Sequence, residues 1–106
     1  ASAFQIDGAE VTLEGLVIEG ATNQQVLNDG SSSGTLIVKD SEVVVDSDAS
    51  VNDFAITLTD TKLDLQDSII RGEGTNVAKE FGVKLTADDT NLYESSISNS
   101  EFKDLQ

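Results

Sequence analysis

One short pattern recurs four times along the chain and limits the fold more than any other feature. It is an apolar residue, any residue, a Gly, Asp or Asn, a Leu or Ser, any residue, and an apolar residue. The copies are Leu13-Glu14-Gly15-Leu16-Val17-Ile18, Val38-Lys39-Asp40-Ser41-Glu42-Val43, Leu65-Gln66-Asp67-Ser68-Ile69-Ile70 and Ile97-Ser98-Asn99-Ser100-Glu101-Phe102. They lie 25, 27 and 32 residues apart. Repeats of this period signal stacked arrays, in which each unit buries its apolar face against the next.

An apolar residue stands two places before three copies, at Val11, Leu36 and Leu63, with Ser95 at the fourth. A second alternating segment precedes three copies: Phe4-Gln5-Ile6, Phe54-Ala55-Ile56-Thr57-Leu58 and Phe81-Gly82-Val83-Lys84-Leu85. Period-two alternation marks a half-buried strand. In the second repeat Val26 and Leu27 fill this strand, and Gly30 to Gly34 forms an inserted loop. Five residues are inserted around Ala87 to Asn91 in the last repeat. The third strands are Ile18-Glu19, Val43-Val44-Val45, Ile70-Arg71 and Phe102-Lys103. No stretch keeps a helical apolar stripe over three turns, although Asn76 to Glu80 is long enough for one turn capped by Thr75.

Three short strands per repeat is the arithmetic of a parallel β-helix. The expectation is an all-β, right-handed β-solenoid of about four coils, divided near 1–24, 25–52, 53–79 and 80–106. Leu13, Val38, Leu65 and Ile97 should stack in one inward row, and Ile18, Val43, Ile70 and Phe102 in the next. The Asp40, Asp67 and Asn99 corners should cap backbone groups at the bend, where Gly15 needs no side chain. A competing register places Leu92 in the core row of the last repeat; the Asn99-Ser100 register is preferred because it preserves the turn chemistry.

Composition excludes several chemistries. His and Cys are absent, so a Ser-His-Asp triad, a Cys nucleophile and an ordinary zinc site are excluded. A net charge of -14 argues against nucleic acid and anionic membranes as partners. No apolar run approaches the roughly 18 residues of a membrane span. No basic start followed by an apolar stretch reads as a signal peptide, and a mature or excised chain reads the same.

The Asp-Ser-x-Ile and Asn-Ser-x-Phe corners resemble those of right-handed β-helix proteins of the pectin-lyase-like superfamily. Val11-Thr12-Leu13-Glu14-Gly15-Leu16-Val17-Ile18-Glu19-Gly20 is especially similar to coils of bacterial alginate lyases and chondroitinases. The resemblance implies a secreted or cell-surface, carbohydrate-associated β-helix module. The expected function is a non-catalytic scaffold or polysaccharide-binding piece. The alternatives are a fragment of a uronate-polysaccharide lyase working by β-elimination, and an adhesin stalk.

The family's hydrolases use paired aspartates with Gly-His-Gly and Arg-Ile-Lys motifs. This chain has Asp88-Asp89 but neither motif. Its lyases need a base, commonly Lys or Arg, and a cation against the uronate carboxylate. Arg71, Lys79 and Lys84 are the only basic residues gathered in sequence, and surface charge is the plainer reading of them. Tyr93 is the sole tyrosine and the candidate platform for a sugar ring. Asp46-Ser47-Asp48-Ala49-Ser50-Val51-Asn52 begins like a calcium loop, but Val51 stands where an EF-hand has Gly and Thr57 where it has Glu. Asp46, Asp48 and Asn52 are candidates for a looser Ca2+ site; otherwise no cofactor is expected. Thr57, Thr59, Thr61 and Thr86 suggest an outward threonine face of the kind that binds ice, though Lys84 interrupts it and Thr simply favours strands.

The ends of a short β-helix present unpaired strand edges. No amphipathic capping helix is evident, so end-to-end association of copies, or an origin inside a longer β-helix, is expected.

Overall fold

In a computed structural model, the structure describes residues 2–5, 10–20, 25–29, 34–46, 53–74, 80–86 and 95–105. Twelve strands follow in order: β1 (Ser2–Gln5), β2 (Glu10–Glu14), β3 (Val17–Glu19), β4 (Gln25–Asp29), β5 (Gly34–Lys39), β6 (Glu42–Val45), β7 (Asp53–Thr59), β8 (Thr61–Gln66), β9 (Ile69–Gly72), β10 (Glu80–Thr86), β11 (Ser96–Ser98) and β12 (Glu101–Lys103). They form three four-stranded sheets, ordered β1-β4-β7-β10, β11-β8-β5-β2 and β12-β9-β6-β3. Every pairing is parallel. Each sheet takes every third strand, so each set of three strands lies against the set before it. The chain is all-β with parallel sheets, compatible with a β-solenoid.

The register follows the repeats. Leu13 pairs with Val38, Val38 with Leu65, and Leu65 with Ile97. Ile18, Val43, Ile70 and Phe102 align in the same way. The last repeat therefore adopts the Asn99-Ser100 register. Val26, Leu27, Leu36, Val38, Val43, Ile56, Leu58, Leu63, Leu65 and Ile70 are fully buried and belong to a single core cluster. A sheet buried on one face and wet on the other needs this alternation.

Strict alternation fails in β4, in β6, where Val43, Val44 and Val45 are all buried, and in β7. Ala55 and Ile56 are consecutive and both fully buried, while Phe54 is half-buried. Val26 and Leu27 show the same double burial in the neighbouring strand, where Leu27 pairs with Ile56. The shift of phase leaves Phe54 and Phe81 as a stacked pair, with ring centroids 5.2 Å apart, rather than as core residues. Thr61 is also buried, so it drops out of the expected outward threonine row, and its hydroxyl donates to Thr59 O at 3.0 Å. Gly34 belongs to β5 rather than to the preceding loop.

Lys79, Tyr93, Asp48, Asn52, Asp88, Asp89 and Leu92, with the one-turn helix expected after Thr75, lie outside the described residues. No helix among the described residues is long and apolar enough to cross a membrane.

Candidate functional site

The corner between the second and third sheets is built four times. Gly15, Asp40, Asp67 and Asn99 hold φ of 69°, 48°, 49° and 47°. This left-handed region is open to Gly and tolerated by Asn and Asp, and costly for most other residues. That explains the residue choice at the third position of the repeat. The side chains of Asp40, Asp67 and Asn99 are exposed, so the capping expected of them is done by their neighbours. Leu16 N–H donates to Ser41 Oγ at 3.2 Å, Ser41 N–H to Ser68 Oγ at 3.2 Å, and Ser68 N–H to Ser100 Oγ at 3.3 Å. Each hydroxyl donates back within its own corner, to Lys39 O at 2.7 Å, Gln66 O at 2.7 Å and Ser98 O at 2.9 Å. The serines thus form a ladder that satisfies backbone N–H groups from one set of strands to the next.

An open groove of about 410 Å³ runs outside these corners. Asp40, Glu42 and Asp67 line it beside Leu16, Val17 and Ile69. Its charge is negative, and its apolar surface is aliphatic.

Arg71 lies at the outer side of β9. Its guanidinium is ion-paired with Glu42 through Nε, and Nη1 donates to Gly72 O at 3.2 Å. The hydrogen bond to Glu42 raises the Arg71 pKa above its ordinary value; burial opposes this, and the charges of Glu42, Glu19 and Asp104 add to it. A raised pKa on a basic group stabilises the fold at all pH values below its ordinary range, and that contribution is lost only in strong alkali. Arg71 is thus a cation engaged within the protein. Lys84 projects from β10, in another sheet, with Nζ 5.6 Å from the centre of the Phe54 ring. The structure does not bring Arg71 and Lys84 into one described cluster.

The sequence candidate Asp46 is joined instead by Glu73 and Glu80. Their carboxylate oxygens lie within 4.8 Å of one another. Val45 pairs with Gly72, which sets Asp46 and Glu73 side by side just past β6 and β9. Glu80 opens β10 and is fully buried, and Gly74 N–H donates to its Oε1 at 3.4 Å. Gly72 makes room: a Cβ there would meet Glu80 Oε1 at 2.7 Å and Asp104 O at 2.2 Å. Oxygen ligands of Ca2+ stand at 2.3–2.6 Å from the ion, so three carboxylates at this spacing are able to share one. Sequence reading missed Glu73 and Glu80 because they are remote from Asp46 in sequence; the signal available was the alignment of third strands.

A second open groove, of about 510 Å³, lies by the last strands and is lined by Phe54, Phe81, Gly82, Phe102 and Leu105 among others. Phe102 in this groove is 44% exposed, and Leu85 and Ile97, outside it on β10 and β11, are 46% and 50% exposed.

No family model matches the chain, and neither does any curated protein or solved structure.

Proposed function

We propose that the chain is a non-catalytic module of a secreted or cell-surface protein, a right-handed parallel β-helix of four coils that serves as a scaffold. The observation that carries this reading is the corner. It recurs in register as the same left-handed bend, and its serine hydroxyls are spent on the ladder that joins the coils. Two further features favour it over a lyase. Arg71 is engaged by Glu42. The groove along the corners carries Asp40, Glu42 and Asp67, which would repel a uronate chain and suit a neutral polysaccharide. The acidic trio is the place for Ca2+ in this reading, as a clamp between coils and not a reaction centre.

The test is absorbance of unsaturated uronate products, with alginate, pectate and chondroitin as substrates, with and without calcium. The expected outcome is no product on any of them. Product formation abolished by Arg71→Ala would establish a lyase and overturn the scaffold reading.

A further inference from the structure

The groove outside the corners joins two kinds of surface. One is aliphatic. Val17, Glu42 and Ile69 pair in register across β3, β6 and β9 and alternate with buried Ile18, Val43 and Ile70. Their side chains therefore stand on the outer face of the third sheet. Strands lying at a sheet's edges leave its outer face uncovered, so this surface belongs to the side of the stack and not to its ends. Val17 is 65% exposed. Leu16 beside it is 38% exposed, where the next two corners carry the buried serines Ser41 and Ser68. The other surface is acidic. Asp40 and Asp67 occupy the same bend in successive strand sets, both exposed. Among the described residues neither carboxylate has a hydrogen bond or ion pair. Glu42 is held by Arg71. Lys39 faces outward on β5 between Glu14 and Gln66, so Glu14 balances its charge and the corner stays acidic.

We infer that this groove docks an extended, cationic segment of a partner protein, in which Arg alternates with aliphatic residues. The inference goes beyond the scaffold reading, which gives the groove no protein partner. Charge complementarity chooses the occupant. Corresponding residues of successive strand sets lie about 4.8 Å apart, so one guanidinium, with its fork of donors, can serve both Asp40 and Asp67. Side chains of an extended segment alternate between its two faces. An Arg over the two aspartates and an aliphatic residue two places away can therefore face the groove together, the latter on Val17 and Ile69. A neutral polysaccharide would offer the carboxylates only hydroxyls, and no aromatic ring lines the groove to stack on a sugar. An anionic partner is repelled there, while the net charge of -14 draws a cationic one in.

Titration of the ¹⁵N-labelled protein with the blocked peptide acetyl-Gly-Arg-Val-Arg-Val-Gly-amide, followed by amide chemical shifts, tests this. The expected result is saturable binding that moves the amides of Val17, Asp40, Asp67 and Ile69. Replacing both Val of the peptide by Ser should weaken binding about tenfold, and replacing both Arg by Gln should abolish it. Asp40→Asn and Asp67→Asn should each weaken it about threefold, and about tenfold together, as expected for exposed ion pairs. These variants keep the bend, since Asn99 holds the same conformation. Glu10→Gln, an equal change of charge at an exposed site on β2 outside the groove, should leave the affinity within about twofold. If a protein variant fails to fold, the peptide substitutions against the wild type carry the test alone. Glu10→Gln weakening binding as much as Asp40→Asn, or a Ser-containing peptide binding as well as the Val one, would reduce the effect to net charge and overturn the inference. Absence of peptide binding would overturn it too. Cellohexaose moving the same amides where the peptide does not would assign the groove to a neutral glycan instead. A wild-type spectrum without the dispersion of β-sheet would sink the β-helix reading itself.

Discussion

Asp67 bends the chain at φ 49° with its side chain in solvent, so its value is conformational. Asp67→Gly should change stability by less than about 0.5 kcal/mol, because Gly enters this region freely. Asp67→Val should cost about 1–2 kcal/mol, the penalty of a left-handed bend on a bulky residue. Urea titration of both variants checks the contrast, and equal losses would return the role to the carboxylate. Ser68 beside it is a different case. It is buried, accepts from Ser41 N–H and donates to Gln66 O. Ser68→Ala leaves a buried donor without its acceptor, which costs about 1–3 kcal/mol. Ser100→Ala, at the less covered end of the ladder, should cost visibly less in the same titration. The acidic trio makes a third prediction at this scale. Calcium should stabilise the wild type and leave Glu73→Gln unchanged. Differential scanning calorimetry reads both effects, and an equal calcium response in the two proteins would remove the trio as its seat.

At the level of strands, the third sheet depends on one small residue. A Cβ at Gly72 would strike the Asp104 carbonyl, and backbone yields less readily than a flexible side chain. Gly72→Ala should cost about 1–3 kcal/mol through overpacking alone, measured by chemical denaturation. The strands and their register were legible in the sequence because two rules acted together. Alternation marked the buried faces, and the Gly, Asp or Asn at each corner marked where a left-handed residue must fall. Asp60 and Asp104 adopt the same conformation at φ 52° and 55°, outside the hexapeptide repeat, and so passed unnoticed. The double burial at Val26-Leu27 and Ala55-Ile56 was hidden for a related reason: a change of phase inside a strand looks like ordinary alternation in single-residue patterns. The serine ladder was misassigned to its aspartate neighbours, since both residue types cap turns and only the backbone angle separates them. The acidic trio could not be read locally at all. Asp46, Glu73 and Glu80 meet only because β6 stacks on β9 and the chain returns through β10.

Across the whole molecule, stacked sets of strands should melt as neighbours rather than as a uniform globule. In such arrays stability is close to a sum of each unit and its interfaces. The inner strands have neighbours on both sides, whereas β10, β11 and β12 have one. Their inward residues Leu85, Ile97 and Phe102 are about half exposed, against full burial for Leu58, Leu65 and Ile70. Local opening should therefore begin at β11 and β12, the shortest strands of that end. Amide hydrogen exchange at low concentration should show β5, β6 and β8 as the slowest segments and β11 and β12 among the fastest. Equal exchange in all twelve strands would instead mean that the sets open together as one cooperative unit.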